Sequence, residues 1–296
     1  MAPCFSSRME ENFYSQKLNN NAIFIKQPNT TENMKQFLKQ STLLLSTAVI
    51  FFSACNKDET PTPDNSGTST ILTEVKSADS EMKIQYNANN QIQTVTVDND
   101  PFVGEENVSF TVKYNSANLI EELTAANQTK VKAFYQQQNL TKTEVWASTL
   151  KISETIHTYE GNNLKTSEVF LFDNGEKYPY LKTEYTYNAA GNVTRTRAFM
   201  YNPLSNQLDY AGYINKTYDT KNNPFQSIKH LMQIFWEVPT TNNILKEEHF
   251  DDNNDELFVK NYVYTYNSKN YPTKAVITET EAGVPATTVT VNFSYK

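Results

Sequence analysis

The chain has 296 residues, of which 38 % are hydrophobic and 20 % charged, and a formal net charge of −7. With 18 Tyr and 17 Phe it is too aromatic for a disordered chain, and 7 Gly with 11 Pro exclude collagen-like and low-complexity classes. The acidic balance disfavours a phosphate backbone as partner, so no nucleic-acid binding is expected.

Residues 1–33 are polar and Asn-rich, and they precede a complete export signal. They read either as sequence upstream of a true start at Met34 or as a long n-region, and they carry no fold argument. Residues 34–54 form the signal. Lys35 and Lys39 supply a positive n-region, Leu43 to Phe52 an apolar h-region, and Ser53 and Ala54 the small residues before Cys55. A ten-residue apolar stretch is too short to span a bilayer, which takes about 20 residues as a helix. Phe52-Ser53-Ala54-Cys55 resembles a lipobox. The resemblance implies cleavage before Cys55, a diacylglyceryl thioether on its sulfur and an acyl group on its freed amine.

Residues 55–69 follow as the lipidated Cys and a polar tether containing Pro61, Pro63 and Gly67. Fourteen flexible residues reach roughly 20 Å. Lys57-Asp58-Glu59 resembles the charged export tag of Bacteroidetes-type surface lipoproteins, which implies the outer face of the outer membrane. Cys4 lies upstream of the cleavage site and Cys55 would be acylated, so no disulfide is expected in the mature chain. Residues 1–54 hold five basic and three acidic residues, so their removal takes the net charge to −9.

Residues 70–296 form the expected single folded domain. From about residue 80 a pattern recurs: an alternating run ending in Tyr, a polar stretch with Asn or Gly, then a second alternating run. The terminal tyrosines are Tyr86, Tyr114, Tyr135, Tyr159, Tyr187, Tyr218, Tyr266 and Tyr295, spaced by 28, 21, 24, 28, 31, 48 and 29 residues. Val108, Phe110, Val112 and Tyr114 fall on one strand face, with Ser109, Thr111 and Lys113 on the other. Asn and Gly tolerate the positive φ of tight hairpin turns, and Asp173-Asn174-Gly175 carries the type I′ signal. Each copy is therefore a β-hairpin. The spacing of 48 predicts a degraded copy or an insertion around His230 to Asn254, and the best helix candidate runs from Phe225 to Trp236. The expected fold is all-β: an antiparallel hairpin-repeat meander of roughly 14–16 strands forming a wide curved sheet or barrel-like shell.

Tyr187-Asn188-Ala189-Ala190-Gly191-Asn192-Val193-Thr194-Arg195 resembles the tyrosine–aspartate repeat of Rhs-type shell proteins, with Asn in place of its Asp and Arg. The whole arrangement is more similar to a family of Bacteroidetes-type lipoproteins of unknown function. That resemblance implies a porin-like fold and specifies no activity.

The three histidines, His157, His230 and His249, lack metal-ligand spacing, and no nucleophile elbow, P-loop or dinucleotide turn occurs, so no cofactor is expected. Asp251, Asn253 and Asp255 have the one-three-five spacing of a calcium loop. Glu256, however, stands where the turn Gly belongs, and Tyr262 where the bidentate Glu belongs. A polar hairpin turn accounts for the run without metal. Phe258, Lys260, Tyr262, Tyr264 and Tyr266 share a strand face. They serve cross-strand packing or, on an exposed surface, stacking on sugar rings; Trp146, Trp236, Tyr262 and Tyr264 are the candidates for stacking. The expected function is that of a surface-tethered, non-catalytic structural or binding lipoprotein. Its anchor would be the lipid on Cys55 and its ligand a glycan or a partner protein. An extracytoplasmic carboxylate-dependent hydrolase and an integral outer-membrane β-barrel are the alternatives.

Overall fold

The computed structural model describes residues 70–100, 105–235 and 238–296. The signal segment, Cys55, the tether and Trp236 lie outside these. Sixteen strands follow one another: β1 (Leu72–Lys76), β2 (Glu81–Tyr86), β3 (Ile92–Asp100), β4 (Glu105–Tyr114), β5 (Ile120–Ala125), β6 (Thr129–Gln136), β7 (Asn139–Ala147) and β8 (Leu150–Glu160). The second eight are β9 (Asn163–Asp173), β10 (Glu176–Tyr187), β11 (Val193–Asn202), β12 (Gln207–Tyr218), β13 (Ile244–Phe250), β14 (Glu256–Tyr266), β15 (Pro272–Glu281) and β16 (Val284–Tyr295). Each pairs antiparallel with its sequence neighbours, and β16 pairs with β1, so the sheet is a closed barrel rather than an open curved sheet.

The turns explain why so much Asn accompanies so little Gly. In the turn Asn87–Gln91, the Asn87 side-chain oxygen accepts the N–H groups of Asn89 and Gln91 at 2.9 and 3.0 Å. The Asn87 N–H donates to the Gln91 carbonyl, and Asn90 takes φ 58°. The same wiring recurs from Asn115, Asn188, Asn267 and Asp251, with Asn118, Gly191, Asn270 and Asn254 at positive φ. A short polar side chain that bonds its own backbone makes this left-handed step cheap. Asn174 and Gly175 both take positive φ, as a type I′ turn requires.

The repeated tyrosines link one hairpin to the next. Each stands at or next to the end of an even-numbered strand, opposite one of the first two residues of the next strand round the barrel, with a bulge beside it, as in Tyr86↔Ile92. The Tyr114 hydroxyl donates to the carbonyl of that same Ile92 at 3.0 Å. Tyr159 likewise reaches Leu140, Tyr187 reaches Leu164, Tyr218 reaches Val193 and Tyr295 reaches Pro272. Tyr86 reaches Leu72, the partner of Tyr295, so the series runs on across the β1–β16 seam. Two members depart from it. Tyr266 donates to the Asp219 carboxylate, and the buried Tyr135 hydroxyl has no hydrogen-bond partner.

Both exceptions face the long β12–β13 connection. Asp219 begins it as Asn87 begins its turn: its N–H donates to the Asn243 carbonyl, and its Oδ1 accepts the N–H of Lys221 and Asn243. The connection is thus an ordinary turn opened between its third and fifth positions, which are 221 and 243 here. The insertion lies upstream of His249, which is in β13. It carries a 3-10 turn (Pro224–Ile228), capped by Asn223, and a short helix, α1 (Lys229–Ile234). Six helical residues are too few to be stable on their own. Burial holds them: Phe225, Ile228, Leu231, Met232 and Ile234 join Leu72, Val95, Phe110, Leu123, Leu140, Val291 and Phe293 in one core. Phe225 meets Phe293, Phe235 meets Phe110 and His230 meets Tyr135 edge-on. The insertion therefore plugs the barrel from inside.

Candidate functional site

Strand alternation sends successive side chains to opposite faces of the barrel wall. On the outer wall of β6 to β10, cations and rings interleave. Trp146 of β7 lies opposite Lys130 of β6, with the Lys132 ammonium 5.0 Å from its ring and its indole N–H donating to Glu144. Lys142 and Lys151 pair with Glu144, and Lys151 and Lys177 with Glu154. Lys151 and Lys177 also sit over Phe172 and Phe170, at 4.6 and 3.8 Å from the ring centres. Burial pushes the Glu144 carboxyl up, but bonds from Lys142 and Lys151 outweigh it and bring it down to about 2.

The next strands form a recess. Arg195, Arg197, Tyr210, Tyr213 and Asn254 line an open cavity of about 480 Å³. Arg195 and Arg197 are two apart on β11 and so share its outer face. Tyr210 and Tyr213, three apart on β12, should point to opposite faces. A bulge corrects this: Ala198 pairs with Gly212 while Phe199 pairs with Tyr210, leaving Ala211 unpaired. Gly212 sits at φ 135°, and a Cβ there would lie 2.2 Å from the Phe250 carbonyl oxygen, so this step needs glycine. Tyr213 stacks on Phe250 at 4.6 Å and 12°. The Arg195 guanidinium lies 4.6 Å from the Tyr213 ring centre, and that of Arg197 lies 5.2 Å from both Tyr210 and Phe199. Arg195 Nε donates to Asn215, and Arg197 lies 3.4 Å from Glu184, which Lys182 also approaches.

Inside the wall a second polar group is sealed from solvent. Glu247 and His249 of β13 are 2 % and 0 % exposed. Glu247 accepts from Lys216 at 2.8 Å and from the Tyr262 hydroxyl at 2.8 Å. His249 stacks on Phe258 at 4.0 Å, and its Nε2 is 3.6 Å from Glu247, an electrostatic contact too long for a hydrogen bond. Burial raises the Glu247 carboxyl, but Lys216, then His249 and Lys260, hold it well below the usual carboxylate range. Burial pushes the His249 imidazole down against the pull of Glu247. His157, bonded through Nδ1 to Ser167, is pushed down to about 4 by burial. A carboxylate and imidazole sealed this way are unreachable by substrate in this conformation.

The residues singled out from sequence fall in different places. Trp146 is on the outer wall and half-buried by its lysine neighbours. Tyr262 and Tyr264 face inward, stacked on each other and packed against the core. Asp251, Asn253 and Asp255 form the β13–β14 turn, with Asp251 Oδ1 already accepting two backbone N–H groups. No group of three or more metal-ligating His, Cys, Asp or Glu side chains occurs among the described residues. Sequence reasoning missed the Arg195–Tyr213 recess. Its one signal was a glycine inside an otherwise alternating strand.

No protein-family model and no curated protein matches the chain. Among solved structures it is similar to a porin-like protein from Bacteroides uniformis, with a TM-score of 0.51 and 15 % identity over 79 % of this chain and 100 % of the other. It also matches a porin-like protein from Bacteroides vulgatus (TM-score 0.44, 10 % identity, 77 % and 99 % covered) and a DUF3836 family protein from the same species (TM-score 0.24, 13 % identity, 27 % and 87 % covered). The chain thus shares the all-β, porin-like barrel fold of the Bacteroides uniformis protein.

Proposed function

We propose that the chain is a surface-tethered, non-catalytic binding lipoprotein. In this reading it is anchored in the outer membrane through Cys55 and takes a glycan or protein ligand on the outer wall of its barrel. The observation that carries this reading is the polarity of the wall. A barrel that spans a membrane presents an outward apolar band about 25 Å tall and a polar interior. Here charged and polar residues run through the outer rows, and no such uninterrupted apolar band forms in the rows of Lys83, Lys132, Lys182 and Asn261. Mid-strand, Lys83 stands beside Thr96 and Ser109, Lys132 between Glu122 and Glu144, Lys182 beside Glu168, and Asn261 beside Thr278, all facing out. Beside Lys83 and Lys132, the neighbours Met82, Ile84, Val131 and Ala133 face a filled interior. Charges in such rows are expensive against lipid and stable in water, which supports a barrel that stands clear of the bilayer on a tether.

The sealing of Glu247 supports binding over hydrolysis. The test is fractionation of cells expressing the full chain. Cys55→Ala should move it from the membrane pellet to the detergent-free soluble fraction, and protease added to intact cells should digest the acylated form. A Cys55→Ala chain that stays in the membrane through a carbonate wash would argue for the integral barrel. Glycan hydrolysis lost with Glu247→Gln would argue for the enzyme.

A further inference from the structure

We propose that the recess between β11 and β12 binds the oxyanion of an acidic glycan, a carboxylate or sulfate carried on a sugar ring, through the paired guanidiniums of Arg195 and Arg197. The inference rests on the binding reading above and names its ligand class and site. Three observations carry it. The first is the choice and placement of cations. Arginine presents a planar fork that matches a carboxylate or sulfate with two parallel hydrogen bonds, which a lysine cannot do. Two forks on alternate residues of one strand stand roughly 7 Å apart, close enough to converge on one ligand. The lysines nearby are spent on carboxylates, as Lys182 is on Glu184, whereas Arg195 spends only its Nε, on Asn215.

The second is preorganisation. Arg195 lies over Tyr213, which stacks on Phe250, and Arg197 lies over Tyr210 and Phe199. Rings beneath both guanidiniums hold them in place before any ligand arrives, so less side-chain entropy is lost on binding. The arrangement depends on the bulge at Gly212, a position where a Cβ would collide with the Phe250 carbonyl. The third is shape. The cavity of about 480 Å³ is open along the wall, and Asn254, with its backbone at φ 67°, adds an amide to the rim. An amide and tyrosine hydroxyls beside a charge clamp suit a ring bearing hydroxyls, and an open recess lets a longer chain run on past it. In a chain of net negative charge, Glu184 is the single carboxylate among the described residues that pairs with these arginines, and it is shared with Lys182.

The test is titration of the soluble, unacylated Cys55→Ala chain, without detergent, with polygalacturonate, heparin, neutral dextran, and vesicles containing an anionic phospholipid. Saturable binding of polygalacturonate or heparin but not dextran is expected; whichever binds identifies the carboxylate or the sulfate. Arg195→Lys with Arg197→Lys keeps the charge but removes the forks and should weaken binding at least tenfold, with unchanged thermal unfolding. Lys113→Gln, on the far wall, should change it less than twofold. Equal losses in the two variants would overturn the recess as the site, as would binding to the vesicles alone. Binding of dextran or of a protein, unaffected by the arginine changes, would overturn the acidic-glycan assignment and leave the binding function standing. Turnover of a glycan would overturn the function itself.

Discussion

Along β1–β7, β15 and β16 the inner face carries Leu72, Val95, Phe110, Leu123, Leu140, Ile277 and Val291, and the plug packs against it. Along β8–β13 the same face carries Ser153, Thr155, His157, Ser167, Thr183, Thr196, Glu247 and His249, all buried. The outer hairpin repeat is alike on both sides, with the same turns and, Tyr135 and Tyr266 apart, the same tyrosine links. Strand geometry is therefore indifferent to what fills the interior. One side is filled by apolar side chains plus a helix lent by an opened turn. The other mixes apolar residues such as Val169, Val193, Ala198 and Ile214 with small hydroxyls, His157 and one ion cluster. Apolar filling costs only chain entropy, whereas a buried charge is stable only while its partners remain.

The comparison is tested most severely at Glu247. Glu247→Ala strands Lys216 beside the buried His249 and should cost about 3–5 kcal/mol, the range for one partner removed from a buried pair. Glu247→Leu with Lys216→Met should be milder than either change alone, because the one buried charge left over, Lys260, keeps Glu279 as its partner. Denaturant titrations of the set decide it, and a double variant as unstable as Glu247→Ala would mean that shape, not charge, governs this side. On the apolar side, Leu231→Ala removes a fully buried plug residue and should cost about 2–4 kcal/mol through the cavity it leaves. Its effect should be independent of pH.

The polar side should instead respond to acid. His157 is held neutral by burial, with a folded-state pKa of about 4 against an ordinary 6.5. Between these values the unfolded chain binds a proton that the folded chain refuses. Stability should therefore fall as pH drops from 6.5 toward 4, by on the order of 3 kcal/mol from this residue. The buried Glu247 carboxylate is lowered and loses its contribution only further down, below the ordinary carboxylate value near 4.5. Unfolding midpoints of the wild type and His157→Gln between pH 7 and 4.5 should converge as the pH falls. Parallel curves would remove His157 as the source.

Much of this was legible in the sequence because it is local. Alternation ending in Tyr marked the strands, and Asn at the first turn position marked the reversals. Closure was not legible, since Leu72↔Tyr295 joins residues from opposite ends of the domain. The side on which Tyr262 and Tyr264 lie was not legible either, because period-2 alternation fixes that residues share a face and leaves open which face it is. The ion cluster gathers Lys216, Glu247 and Lys260 from three strands, whose pairing depends on where the insertion ends. The recess needed a bulge that offsets Tyr210 and Tyr213 by one residue, and no alternation template contains it.

The smallest expected effects are also the most discriminating, because they compare one residue type at two places in the tyrosine series. Tyr187 donates to the Leu164 carbonyl at 2.9 Å, so Tyr187→Phe should lose one hydrogen bond, about 1 kcal/mol. Tyr135 holds the equivalent position on β6, but its hydroxyl is buried without a hydrogen-bond partner, and its ring meets His230 of the plug edge-on. Tyr135→Phe keeps the ring contact and removes an unsatisfied polar atom. It should be neutral or stabilising by up to about 1 kcal/mol. Paired chemical denaturation of the two variants measures the difference directly. Equal losses would mean that Tyr135 bonds its neighbouring hairpin in solution as the regular copies do. Opposite signs would mean that the plug has displaced this link, with core packing making up for it.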